Sequence, residues 1–305
     1  MSYEQLMEHA NNIRAKAVWR AVQKHEVEPI YAATSGPEGY YANIPELFRP
    51  FSELPDPNGY SPLIADYRVI LSKLSSGNQD QDPIDGHQTY LANPQLDKMQ
   101  AANSNLLDWT GHAAVAFRSR FLTPFPSLVK NQFIIASVLK AALEAHQAMW
   151  ASARRDIDAL AETTIKALDS DPCCDPTKWS VEFTIAASIA AVAAVPLAAV
   201  TEGMSVPLTL TAVGAAAQVV AAKPPDSIKE NKSGSTALQI VEEMKKDIKT
   251  IEQQITKAEE RITMSLAANV SDIGRHPDLF VAARPALANA TAANVRSGGF
   301  LGEAL

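Results

Sequence analysis

Cysteine and basic charge are both scarce in this chain of 305 residues, and each shortage excludes a class of protein. The two cysteines, Cys173 and Cys174, are adjacent, so they can build neither a disulfide framework nor a structural zinc site. Free thiols and a vicinal disulfide in a turn both remain open. Lysine and arginine number 27 against 34 aspartates and glutamates, which gives a net charge of −7. Because nucleic-acid-binding surfaces are basic, we expect no nucleic-acid partner.

Motifs of catalysis and metal binding are also missing. None of the six histidines pairs with another at i,i+4, and the chain contains no HExxH, GxSxG, Walker or GxGxxG pattern. Asp80, Asp82 and Asp85 resemble a calcium loop, but Gly86 stands seventh and Leu91 occupies the twelfth position, where a glutamate is required. We therefore predict no catalytic residue, no cofactor, no metal site and no enzymatic activity.

Charge is almost absent from residues 183–222, where Glu202 is the single ionisable side chain. Two arms of about 20 residues would match the thickness of a bilayer core. Against a double span, alanine removes little apolar area from water, and Pro196 interrupts a helix in the first arm. Three interpretations stay open: a buried Ala-rich hairpin, a conditional membrane-inserting hairpin with Glu202 and Gly203 at its tip, and a constitutive double span.

Long helices are predicted on both sides of this stretch, over 128–169 with Ser127 as N-cap and over 235–269. In the second helix, apolar residues alternate at spacings of three and four, which is the a/d pattern of a coiled coil. This helix-pairing seam consists of Val241, Met244, Ile248, Ile251, Ile255, Ala258 and Ile262. The economical partner is the 128–169 helix, packed antiparallel. His146 lies on the apolar face of that helix, as a core histidine or as a pH sensor.

These patterns predict an all-α fold, an elongated antiparallel helical bundle whose long helices flank the apolar Ala-rich hairpin. We expect an N-terminal helix and then an arm rich in proline and aromatic residues, followed by a short helix over 62–74 that a polar segment ends. A bundle that begins with a helix near 87–107 and a C-terminal tail complete the chain. The corresponding ranges are 1–27, 28–86, 87–270 and 271–305.

A short motif connects the chain to a known family. Trp109-Thr110-Gly111, followed by Ala113, Ala114 and Phe117, resembles the turn of the Trp-x-Gly (WXG) helical hairpins exported by bacterial type VII secretion. The resemblance covers about 87–169 and implies a turn between two helices, with Trp109, Gly111 and Phe117 as its marker residues. A glycine suits such a turn because it tolerates positive φ and close approach.

The resemblance also implies where the protein acts and with what. It implies a bacterial protein that is secreted or held in the cell envelope without a cleaved signal peptide. The opening sequence MSYEQLMEHANNIRAK agrees, because it contains acidic residues and no apolar core of the length that a signal peptide requires. The implied partners are another helical protein, either a second copy or a WXG-like chain, and the secretion machinery. The chain departs from the family in lacking Tyr-x-x-x-Asp/Glu and in being about three times the usual length.

The function expected from these observations is that of a non-enzymatic type VII secretion-like substrate, which acts by helix pairing and by conditional membrane insertion through 183–222. Long helices flanking an apolar hairpin are also similar, in architecture alone, to the helical pore-forming toxins. The alternatives are a resident membrane or envelope protein tethered by 183–222 and an intracellular helical scaffold.

Overall fold

The computed structural model of the chain describes residues 3–26, 29–106, 108, 110–170, 176–198, 208–217, 226–282 and 291–293. Its α-helices are α1 (Tyr3–Gln23), α2 (Pro29–Ala33), α3 (Pro37–Tyr41), α4 (Ile44–Phe48), α5 (Ser61–Leu74), α6 (Pro94–Asn105), α7 (His112–Phe117), α8 (Phe125–Asp169), α9 (Ile185–Ser188) and α10 (Ala237–Arg275). Its strands are β1 (Gln79–Gln81), β2 (Thr89–Leu91), β3 (Thr177–Phe183), β4 (Ile189–Pro196), β5 (Thr209–Ala215) and β6 (Ile228–Gly234). A π-helical turn (Arg118–Leu122) and 3-10 turns (Arg49–Glu53, Pro57–Tyr60, Pro277–Leu279) complete these elements.

The prediction of an all-α fold is wrong, because the strands form three small antiparallel sheets. β1 pairs with β2, β3 with β6, and β4 with β5. The apolar stretch therefore contains a β-hairpin where helices were expected. Its second strand shows why, because β-branched Thr and Val favour extended backbone and Leu210 and Ala212 are buried while Thr211 between them is exposed.

The two long helices are present, with bounds that differ from the prediction. α8 begins at Phe125 and α10 runs on to Arg275. Pro126 is accommodated in the first turn of α8, where its missing N–H would have had no helical partner. Ser127 consequently lies inside the helix and is not its N-cap. The helix expected over 87–107 is replaced by strand β2 and the shorter helix α6.

The chain divides into two compact units, and each long helix contributes residues to both. Unit 1 contains Met1–Tyr60, Ala145–Ala190 and Pro224–Arg261, and unit 2 contains Ser61–Glu144, Ala191–Lys223 and Ile262–Leu305. In unit 1, α1 buries one helical face and contacts α3 and α4. The buried residues of this face are Leu6, Ala10, Ile13, Ala17 and Ala21.

Arg20 joins α1 to the ends of both long helices inside unit 1. Its side chain is only 2% exposed. The guanidinium donates to the carbonyl oxygens of Ala167 (3.0 Å), Leu168 (3.2 Å) and Ser170 (2.8 Å), and so satisfies carbonyls that the end of α8 leaves without helical partners. It also donates to the carbonyl of Ser235, just before α10 begins, at 3.2 Å.

The core of unit 2 forms where the β1–β2 hairpin packs on α8. A buried cluster holds this packing together, with Tyr90 against Phe133 at a centroid distance of 5.8 Å in an edge-to-face arrangement. Its other members are Leu71, Ala136 and the half-buried Tyr67 and Leu74.

Candidate functional site

The apolar β-hairpin is the least ordinary part of the chain, because along the sequence it lies between the two strands of a separate polar ribbon, which we call the stem. β3 and β6 form the stem, in register from Thr177↔Gly234 to Phe183↔Ile228. β4 and β5, which follow and precede it in the chain, carry no charged residue. Of the side chains that the structure describes in these strands, Ile189, Ala190, Val195, Leu210, Ala212 and Val213 are buried. The structure therefore stores this hairpin away from water.

Asn131 of α8 holds the end of β4 through a two-way amide contact in unit 2. Its Oδ1 accepts a hydrogen bond from Ala198 N at 2.7 Å, and its Nδ2 donates to Ala198 O at 3.0 Å. The same Nδ2 donates to Leu279 O at 2.9 Å. Asn131 is fully buried, so water does not compete for these bonds. Its side chain satisfies both backbone groups of Ala198, as a neighbouring strand would do.

Asn269 of α10 holds β5 in the same way, also in unit 2. Its Oδ1 accepts from Thr211 N at 2.9 Å, and its Nδ2 donates to Thr211 O at 2.6 Å. Ser265, one helical turn earlier, donates from its hydroxyl to Thr211 O at 3.1 Å. Each long helix thus contributes one asparagine to the hairpin, Asn131 at Ala198 just after β4 and Asn269 at Thr211 in β5, and we name these two residues the amide clamps.

A carboxylate in unit 1 binds the point where the polar stem gives way to the apolar segment. Asp156 of α8 accepts hydrogen bonds from Thr184 N (2.6 Å), Thr184 Oγ1 (2.7 Å) and Ile185 N (3.2 Å). Burial raises the pKa of Asp156, although the three donors oppose the rise. Because the pKa of Asp156 is raised in the folded state, its protonation in acid does not by itself destabilise the fold, although the three hydrogen bonds are strongest to the ionised carboxylate.

Sequence reasoning missed Asn131, Asp156 and Asn269. A signal was available, because each polar residue lies one helical turn after an apolar one, namely Leu128, Ala153 and Leu266 respectively. A buried polar side chain requires a partner, and a neighbouring segment of uncharged sequence has backbone groups to offer.

The predicted WXG-like turn is described in part. Gly111 precedes α7 with φ of 98°, a left-handed backbone that favours glycine. Phe117 is 38% exposed and stacks on Phe121 at a centroid distance of 5.3 Å. Trp109 lies outside the described residues, as do the predicted hairpin-tip residues Glu202 and Gly203 and the two cysteines.

The helix-pairing seam of α10 faces the interior. Val241, Met244, Ile248, Ile251, Ala258 and Ile262 are buried, and Ile255 is half-buried. Among the predicted seam residues, Val241 to Ala258 belong to unit 1 and Ile262 to unit 2.

His146 lies parallel to the ring of Tyr60 in unit 1, with the two centroids 6.0 Å apart. Burial lowers the pKa of His146 from its ordinary value of 6.5, and Glu259 partly opposes the change. The neutral imidazole is therefore the form that this stacked position favours.

The aspartates that resemble a calcium loop are paired with lysines of α8, Asp80 with Lys130 and the other two with Lys140. Lys140 of α8 is fully buried, and its Nζ lies 2.9 Å from Asp82, 3.6 Å from Asp85 and 3.6 Å from Glu144. Burial lowers the pKa of Lys140, but the surrounding carboxylates outweigh burial and the net shift is upward. The ammonium group thus occupies the centre of the acidic cluster and fixes the β1–β2 turn to α8.

No protein-family model, no curated protein and no solved structure matches this chain. Among the described residues, no group of three or more histidine, cysteine, aspartate or glutamate side chains is arranged to hold a metal ion. None of the described helices combines the length and the apolar composition needed to cross a membrane.

Proposed function

We propose that this chain is a non-enzymatic helical protein whose apolar hairpin inserts conditionally into a membrane. The observation that carries the proposal is the storage of an uncharged hairpin, β4 and β5, by side-chain amides of the two long helices. Each such hydrogen bond has a net worth of about 1 kcal/mol, because water offers a replacement. The clamps are therefore strong enough to store the hairpin and weak enough to release it.

The composition of the hairpin suits entry into lipid. A charged side chain at the centre of a bilayer costs about 2.5–3.5 kcal/mol, and the described strands of the hairpin contain none. Among the described residues, β4 and β5 pair only with each other, so the ribbon has two outer edges. Unsatisfied backbone groups are costly in hydrocarbon, so insertion requires either conversion to helix or pairing with another copy of the chain.

A charge-insertion experiment tests this proposal. Thr211 on β5 and Ile228 on the stem strand β6 are both exposed, so either position has room for a lysine. Thr211→Lys also gives up long hydroxyl contacts to Asn269 (3.3 Å) and Ser265 (3.4 Å), which loosens storage of the hairpin and so would by itself raise activity. In dye-release assays with anionic vesicles, Thr211→Lys should lower activity about 100-fold, as the cost of one charge in the bilayer predicts. Ile228→Lys should retain activity. Equal activity of the two variants, or no vesicle binding by the folded wild type, would contradict the proposal.

A second candidate function is helix pairing as a type VII secretion-like substrate. The left-handed backbone of Gly111 supports it, because the WXG-like turn has the geometry that requires glycine. Secretion of the chain by a bacterium with an intact type VII system, and its loss when the system is deleted, is the expected result. Retention in the cells of both strains would exclude this candidate and favour an intracellular scaffold, whereas retention in the membrane fraction would favour a resident tether.

A further inference from the structure

Residues 276–282, which follow α10 in unit 2, fold over the surface of α8 beside the hairpin. Leu279 and Phe280 are buried, 1% and 4% exposed, whereas Val281 is 64% exposed. Local bonds from Leu279 N to His276 O and from Phe280 N and Val281 N to Pro277 O close the segment on itself. The turn of this segment, which we call the strap, is therefore closed by the segment's own backbone.

Two neighbouring side chains of α8 bind the strap. Gln132 Nε2 donates to Phe280 O at 2.7 Å, and Asn131 Nδ2 donates to Leu279 O at 2.9 Å. Asn131 is also the clamp of Ala198 at the end of β4. Its amide nitrogen has two hydrogens, of which one serves the strap and the other the hairpin.

We infer that the strap regulates release of the apolar hairpin through this shared amide, an inference that rests on the proposed membrane function. When the strap is in place, Leu279 O fixes the orientation of the Asn131 amide, and both of its polar atoms then face Ala198. When the strap leaves, the amide loses that orienting bond and water reaches a side chain that is otherwise fully buried. The bond to Ala198 then competes with water, and the end of β4 opens.

The coupling has a direction that can be measured. The strap and the β4 end of the hairpin share Asn131 as a hydrogen-bond partner. Asn269, in contrast, binds β5 and has no described bond to the strap. Opening should therefore begin at Leu197 and Ala198 and should leave the β3–β6 stem protected.

Amide hydrogen exchange of the full chain tests the inference with a matched pair of variants. Leu279→Asp places a charge in the buried side of the strap, and Val281→Asp places the same charge two residues later at an exposed position. We expect exchange at Leu197 and Ala198 to be about ten-fold faster in Leu279→Asp and unchanged in Val281→Asp. Unchanged exchange at these two amides, in a Leu279→Asp protein whose strap amides exchange freely, would overturn the inference.

Two further measurements separate the possible failures. Gln132→Ala removes one strap bond without touching the hairpin and replaces Leu279→Asp if that variant loses protection of the stem; it should give the same order of effects with a smaller increase. Flotation with phosphatidylglycerol–phosphatidylcholine vesicles should show increased binding by Leu279→Asp. Faster exchange without vesicle binding by any variant would refute the membrane function and leave the coupling intact. Vesicle binding without any change in exchange would refute the coupling alone.

Discussion

Replacing Asn131 by alanine is the most direct test of how the hairpin is stored. The substitution removes three hydrogen bonds, to Ala198 N, Ala198 O and Leu279 O, from a fully buried position. With a net worth of about 1 kcal/mol for each bond, the free energy of unfolding should fall by about 3 kcal/mol. For a chain of 305 residues, this corresponds to a decrease in Tm of about 5 °C.

Two other substitutions sharpen the test. Asn131→Asp keeps the acceptor for Ala198 N but directs an oxygen at the carbonyls of Ala198 and Leu279, so it should cost more than alanine, about 5 kcal/mol. Asn269→Ala should cost only about 1–2 kcal/mol, because Thr211 is exposed and water can replace the lost partner.

Urea unfolding monitored by circular dichroism measures these differences, and hydrogen exchange at β4 and β5 shows whether they act on the hairpin. The control is Asn11→Ala, which removes one exposed hydrogen bond to Met7 O (2.8 Å) and should change stability by less than about 0.5 kcal/mol. The reasoning would be refuted if Asn131→Ala were as mild as Asn11→Ala, or if aspartate were tolerated better than alanine.

Three further predictions concern buried charged and titratable groups. Lys140→Met should destabilise the protein by about 3–5 kcal/mol at pH 7 in urea unfolding, because it leaves buried carboxylates without a cation. This loss of stability should shrink in acid, as the carboxylates protonate. The control is Lys166→Met, which removes an exposed ion pair. The pKa of His146 is lowered by burial, so wild-type stability should decline as the pH falls below 6.5. In thermal melts from pH 7 to pH 5, the Tm of the His146→Gln variant should fall less than that of the wild type. Equal decreases in Tm for the two proteins would contradict this. Arg20→Met should cost about 3 kcal/mol in urea unfolding, because it leaves carbonyls at the end of α8 unsatisfied, whereas Arg14→Met on the exposed face of α1 should be nearly neutral.

The long helices could be predicted because their signal is local. A repeat of three and four residues, as from Val241 to Ile262, indicates a helical face in any context, and the observed helix α10 contains all of it. The backbone of Gly111 is also a local matter, since its φ of 98° is a conformation that glycine adopts easily.

The strands of the apolar stretch could not be predicted with the same rule. Alanine favours helix, so the sequence of Ile189 to Pro196 taken alone predicts a helix. β-structure depends on pairing with residues distant in sequence and on burial against other elements, and a local sequence pattern predicts neither. The alternation around Thr211 was a usable but short signal.

The sequence by itself determined the two long helices, the uncharged stretch between them and the lack of recognisable catalytic motifs. Only the tertiary structure decided that this stretch contains a hairpin of strands, that Asn131 and Asn269 hold it, and that Lys140 fills the acidic turn. The physical reason is distance along the chain. Helical bonds join residues four apart, whereas the bonds of Asn131 to Ala198 and Leu279 span 67 and 148 residues and exist only once the chain has folded.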